Sequence, residues 1–220
     1  MNDDSNTDGG GPRYFGVYPA IVTSLTRDDK NLGRIEVSFP FLGEAGKDVR
    51  ALATLCSPYA DDNQGLEVLP EEKSQVVVAF EAGDLRRPYI IGACWNGKEK
   101  LPVKPEQANN KRVLRTRSGS ILEFDDTKGG VKVTLKTAGG HKLELQDTPP
   151  TITLKHSGGP SIILSSSGIT IDAQSTLLIK AATVMVQAPS TTHTGSITCT
   201  GLTATSVTSP VYSQGAGNIW

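Results

Sequence analysis

Cysteine is scarce in this chain, with three in 220 residues at Cys56, Cys94 and Cys199. Positions so far apart supply neither a disulfide framework nor the close pairs of a zinc site. Neither sign of charge is in excess, since 22 Lys and Arg stand against 23 Asp and Glu. That balance excludes a protein whose main work is coating nucleic acid, which needs a basic surplus. No apolar run approaches the roughly 18 residues of a membrane-spanning helix. The N-terminal MNDDSNTDGGG is acidic and glycine-rich, the opposite of a secretory signal, so a soluble chain made in the cytoplasm is expected. Phe, Tyr and Trp are absent between Asp125 and Val211, which removes the side chains that usually fill much of a β-sandwich core.

What is present falls into two halves. About 39 of the 45 charged residues precede Gly139, and about a third of the residues after it are Ser or Thr. The seam is the polar GKEKLPVKPEQANNK from Gly97 to Lys111, whose Pro102 and Pro105 suit neither a helix nor a central strand. The first half reads as five short strands, at residues 14–25, 34–39, 51–56, 75–80 and 89–95, with RDDKNLG at 27–33 as a turn. No helical periodicity interrupts them. Five strands in this span suit a small Greek-key barrel, with the oligonucleotide/oligosaccharide-binding (OB) barrel as its best-fitting member.

In the second half apolar residues alternate with polar ones at Val131/Val133/Leu135, Leu143/Leu145, Ile152/Leu154, Ile162/Leu164 and Ile169/Ile171. The pattern continues at Leu177/Ile179, Val184/Val186, Ile197/Cys199 and Leu202/Ala204, broken by Gly-Gly, Asp-Thr-Pro-Pro, Ser-Gly-Gly-Pro and Ser-Ser-Gly. Each strand therefore has one apolar face, and no amphipathic helix exists to cover it. Two arrangements meet this need: a sandwich or barrel closed within one chain, or a triangular prism wound from three copies. A narrow three-fold axis admits only Val, Ile, Leu, Cys and Ala, the residues found at the inward positions. Intertwining would also hide strand edges that otherwise promote aggregation.

Three segments carry a family resemblance. AIVTSLTRDDKNLGRIEVSFP at Ala20–Pro40 resembles the first strands of the OB domain in contractile-tail spikes. That family includes phage baseplate assembly protein V and the valine–glycine-repeat spike of type VI secretion. VVVAFEAGDLRRPYIIGACWNG at Val76–Gly97 is similar to the same domain's closing hairpin, and RTRSGSILEFDDTKGG at Arg115–Gly130 to the start of the family's β-helix.

The resemblance implies an all-β chain: a flexible tail at 1–13, an OB-fold barrel at 14–96, a linker at 97–112 and an intertwined trimeric β-helix at 113–220. It further implies a homotrimeric, non-enzymatic spike that caps the inner tube through a separate hub protein and pierces a target envelope, in transient contact with its membrane. Assembly would be into a virion tail or contractile injection particle, with effector cargo as a further possible partner. Neither the lysozyme-like insertion of some phage spikes nor the hub domain of type VI spikes is found in the sequence. In place of a metal-holding His-x-His tip, His193 stands alone. The apolar end Asn218, Ile219 and Trp220 would instead seat a conical tip protein of the Pro-Ala-Ala-Arg-repeat (PAAR) kind.

The trimer core is expected at Ile152, Leu154, Ile162, Leu164, Ile169, Ile171, Ile179, Val184, Val186 and Ile197. Arg112, Arg115 and Arg117 are assigned to the junction with the hub. No catalytic, cofactor or metal residues are assigned. The carboxylate pairs Asp28/Asp29, Asp61/Asp62, Glu71/Glu72 and Asp125/Asp126 fall in turn-like stretches and read as solvated loops rather than acid–base pairs. His141, His156 and His193 share no ligand spacing. The serines of Ser165–Ser167 lack a nucleophile-elbow context, and Gly9–Gly11 precedes no helix that would make it a phosphate loop. Cys56 and Cys94 read as small apolar packing residues in barrel strands. Other classes stay open: a single-strand nucleic-acid or glycan binder using Arg86, Arg87, Tyr89, Lys111, Arg112, Arg115 and Arg117, a receptor-binding tail fibre, or an envelope-degrading enzyme.

Overall fold

The computed structural model describes residues 12–30, 32–43 and 47–211. The chain forms two units, Met1–Gln174 and Ser175–Trp220. The first contains every strand found among the described residues.

Its N-terminal part is a closed five-stranded barrel. The strands are β1 (Val17–Ser24), β2 (Arg34–Ser38), β3 (Arg50–Leu55), β6 (Gln75–Phe80) and β7 (Pro88–Ala93), in the order β1-β2-β3-β7-β6 with β6 returning to β1. All pairings are antiparallel except β3 with β7. A two-stranded excursion, β4 (Ala60–Asp61) and β5 (Gln64–Gly65), lies between β3 and β6. Period-two alternation sends Ala20, Val22, Val76, Val78 and Phe80 inward, where they meet Ile35, Val37, Phe39, Ala53 and Ile90. Tyr18 stacks on Phe41 with ring centroids 4.8 Å apart, and Tyr14, Phe39 and Phe80 complete one aromatic cluster. Every aromatic side chain of that cluster belongs to the barrel, which is where the sequence concentrates them.

The turns are held by carboxylates. Asp28 accepts the backbone N–H groups of Leu32 (2.7 Å) and Arg34 (3.1 Å) and pairs with the Arg34 guanidinium. That hydrogen bond to Arg34 is the main reason its carboxyl is held far below the ordinary range. Asp125 is buried and accepts from the hydroxyl and N–H of Thr127, and this lowers its pKa. Asp28 and Asp125 are therefore turn-holding groups rather than the solvated loop carboxylates expected. The reading of Cys56 and Cys94 also changes: each lies one residue past its strand and is exposed.

Beyond Trp95 the chain crosses to a seven-stranded antiparallel meander. Its strands are β8 (Lys111–Arg115), β9 (Ile121–Asp125), β10 (Lys132–Lys136), β11 (Lys142–Asp147), β12 (Pro150–Lys155), β13 (Ser161–Ser165) and β14 (Gly168–Asp172), paired in chain order. The short Gly-rich and Pro-bearing breaks leave no room for crossovers, so each strand must pair with the next. The second unit is different in kind. Among its described residues, 175–211, there is no strand or helix, and all are exposed.

Candidate functional site

Register in the meander is fixed at each step, and it sorts the side chains by chemistry. One file across the sheet reads Leu114, Leu122, Leu135, Leu143, Leu154, Ile162, Ile171, each directly opposite the next. A parallel file reads Phe124, Val133, Leu145, Ile152, Leu164, Ile169. Thirteen apolar side chains thus share one face. The other face carries Val113, Glu123, Thr134, Glu144, Thr153, Ile163 and Thr170 in its central row, polar at five of seven positions, with lysines beside them. A one-residue slip on any strand would exchange the faces, so the match of pattern to register selects this pairing.

The polar face is satisfied within the chain. Lys142 pairs with Glu144 at 3.0 Å, and Thr134 donates to the same carboxylate at 3.3 Å. Partial burial pushes Glu144 upward in pKa, but the bonds from Lys142 and Thr134 outweigh it and the net shift is downward. Lys111 lies 3.9 Å from both Glu123 and Asp125.

The apolar face is left exposed among the described residues. Every fully buried apolar residue among those described lies in the barrel, between Ala20 and Ile90, whereas Leu154 is 52% and Ile169 69% exposed. At about 25 cal/mol per Å2, covering such a half-exposed Leu or Ile is worth about 1.5 kcal/mol. An apolar sheet face of this extent is what a binding or assembly surface looks like.

Six of the expected core residues, Ile152, Leu154, Ile162, Leu164, Ile169 and Ile171, stand together in these two files. The remaining four, Ile179, Val184, Val186 and Ile197, lie in the exposed segment 175–211, where no ladder forms within one chain. A backbone without a ladder partner leaves its N–H and C=O groups to water or to another chain. The files also contain Leu114, Leu122 and Phe124, which sequence reasoning left off the core. The alternation in RVLR and ILEF was the signal for them, masked by the surrounding charges.

At the junction Arg112 donates to the Asn109 carbonyl at 2.7 Å and to Asp126 at 3.0 Å. Arg117 reaches back to the barrel and pairs with Glu71 at 2.9 Å. Arg115 has no ion-pair partner among the described residues. Asn218, Ile219 and Trp220 lie outside those residues. Of the cations suggested for a nucleic-acid path, all but Arg115 are engaged within the chain, Arg86 with Asp84 and Arg87 with Glu81, each at 2.9 Å, while the Tyr89 hydroxyl donates to Glu81 at 3.2 Å. Among the described residues no three His, Cys, Asp or Glu are placed to hold a metal, and no helix is long and apolar enough to cross a membrane.

The barrel, residues 18–95, matches the family model of the type VI secretion system/phage-baseplate injector OB domain. Residues 132–193 match that of the phage baseplate V C-terminal trimerisation domain. The chain belongs to the baseplate and type VI secretion spike family. It is 26% identical over 129 residues to the type VI secretion system spike protein VgrG5 of Pseudomonas aeruginosa, covering 54% of this chain and 16% of that protein. It is 25% identical over 112 residues to the spike protein VgrG3 of Vibrio cholerae, covering 48% and 11%. The chain therefore spans less than a fifth of the length of these relatives. The trimerisation match starts inside the meander and runs into the strandless segment, so one spike-family module joins the exposed face to that segment.

Proposed function

We propose that this chain is the homotrimeric central spike of a contractile tail or injection-system baseplate, a structural part without catalytic activity. The observation that carries the reading is the thirteen-residue apolar face left exposed among the described residues, followed by a segment, 175–211, with no ladder partner among them. Two further copies supply the cover and the partner. Three meanders, apolar faces inward, close a triangular prism, and the three 175–211 segments pair with one another. In this reading the domain plan is a tail at 1–13, the OB barrel at 14–96, a linker at 97–112 and the spike at 113–220.

The work proposed is mechanical. A contracting sheath drives the inner tube, the hub passes the load to the barrels, and the prism leads through the target envelope. Arg112, Arg115 and Arg117 sit at the barrel–prism junction, where the hub would bear on the trimer. Asn218, Ile219 and Trp220 would seat a separate PAAR-type tip, and cargo would travel with that tip. Assembly would follow synthesis in the bacterial cytoplasm.

Mass in solution tests the core of this. Three chains of 23.3 kDa give about 70 kDa by light scattering, and a folded monomer would end the reading. A muralytic assay on the same material should give no activity, and cleared cell wall would replace the structural role with an enzymatic one.

A further inference from the structure

His141 and His156 are far apart in sequence but adjacent in space, with ring centroids 4.5 Å apart. They occupy neighbouring turns on one edge of the meander, at the ends of β11 and β12. Along β11 and its lead-in, His141, Leu143, Leu145 and Asp147 alternate with polar residues and so point to one side; Ile152, Leu154 and His156 do the same along β12. Both imidazoles therefore border the apolar face at one edge, and Asp147 borders it at the other.

The bonds within the turns fix what each group has left to offer. Nδ1 of His141 accepts the N–H of Ser157 at 3.3 Å, and Nδ1 of His156 accepts the N–H of Gly158 at 2.9 Å. A nitrogen that accepts cannot carry the proton of a neutral ring, so in both residues Nε2 holds it and is a donor. The same assignment removes Nε2 as a metal ligand, since a ligating nitrogen must be bare. The Asp147 carboxylate has no hydrogen-bond or ion-pair partner among the described residues, and it can accept twice. The turns on the histidine edge, 116–120, 137–141 and 156–160, contain Arg117, His141 and His156 and no carboxylate. On the other edge Asp126 is already paired with Arg112 at 3.0 Å.

We propose that the corners of the trimer are closed by Asp147 of one copy accepting hydrogen bonds from Nε2–H of both His141 and His156 of the next copy. This rests on the trimeric reading above. Three identical walls related by rotation must set the histidine edge of each against the aspartate edge of its neighbour, because the contact is heterologous and the ring closes. Rotation involves no shift along the axis. With strands running across the rod, the ends of β11 and β12 in one wall face the opposite ends of the same strands in the next, at one height. The histidine pair, seated between two turns, then faces the single turn that carries Asp147. Each corner gains a directional contact, whereas the apolar seam alone fixes neither register nor height.

The test uses the full chain with Cys56, Cys94 and Cys199 replaced by Ser, after light scattering has established its mass. In the double variant Asp147→Cys, His156→Cys, a short bismaleimide, which spans the separation that a His–Asp hydrogen bond sets and a direct disulfide does not, should yield a covalent trimer on a heated denaturing gel, while either single variant stays monomeric there. A background protein that is not trimeric overturns the spike reading and this corner with it. A trimeric double variant that fails to cross-link overturns the corner alone. Cross-linking by Asp147→Cys alone means that like edges meet, and also overturns it. If the double variant does not fold, subunit exchange between labelled trimers decides. Asp147→Ala should speed exchange about fivefold or more, and adding His141→Asn and His156→Asn should speed it little further, because the three groups act as one contact. An exchange rate unchanged by Asp147→Ala, or effects that simply add, overturns the proposal.

Discussion

A methyl group on Gly83 would lie 3.0 Å from the Tyr14 nitrogen and 3.1 Å from the Arg13 side chain, at a φ of +78°. The chain's lead-in to β1 rests directly on this turn, with Tyr14 N–H donating to the Gly83 carbonyl at 2.9 Å. The Gly-Asp of the closing hairpin thus has a local cause: only glycine permits both the backbone conformation and the close approach. Gly83→Ala should destabilise the barrel by about 1–3 kcal/mol, read from chemical denaturation. Asp84, next to it, accepts from the Arg86 side chain and N–H, and these bonds hold its pKa down to about 2 from 3.8. A carboxyl lowered on folding contributes stability above its unfolded value, and that contribution disappears as pH falls through the folded one. Melting temperature should therefore drop between about pH 4 and pH 2, and Asp84→Asn should flatten that part of the profile.

Each strand of the meander is unremarkable alone, five or six residues with one apolar face. Consecutive pairing turns these short pieces into two continuous apolar files, and their value comes from being covered together. Ile171 ends one file. Ile171→Asp would bring three carboxylates into a space with no cation to meet them, and burying unpaired charge costs several kcal/mol per group. We expect no soluble trimer from this variant, and a 70 kDa species in light scattering would contradict the inward-facing assignment. The junction obeys different physics. Arg117 and Glu71 are 83% and 59% exposed at the side chain, so their bond contributes little to folding. The double variant Arg115→Glu, Arg117→Glu should keep the barrel's melting temperature and lose assembly or hub binding. Unchanged trimer and hub binding would remove these arginines from the junction.

At the scale of the molecule the two units differ in what they need from partners. The barrel closes its own core, and the meander forms its own ladder, but residues 175–211 form neither. Removal of residues 175–220 should therefore leave the barrel folded with native-like melting. It should abolish the resistance to SDS without heating that is expected of a three-chain rod, whose unfolding must expose all walls at once. A full-length protein that runs as monomer in unheated SDS would contradict this kinetic stability.

Alternation alone determined the strand faces: the barrel strands, the polar and apolar sides of β10–β14, and the split between a charged front and a Ser/Thr-rich back are all local properties of the residue order. That β8–β14 pair in chain order within one polypeptide was not read from the sequence, whose family resemblance pointed to strands intertwined between copies, although the short Gly-rich breaks allow it. The adjacency of His141 and His156 and the turn-holding work of Asp28 and Asp125 were not legible. These depend on which turns stack at which edge, and stacking follows from register across several strands rather than from any window of sequence. The sequence likewise left a sandwich and a three-chain prism in competition. Only the folded chain showed that this apolar face stays exposed among the described residues, since coverage is a property of surfaces brought together and not of any residue in the line.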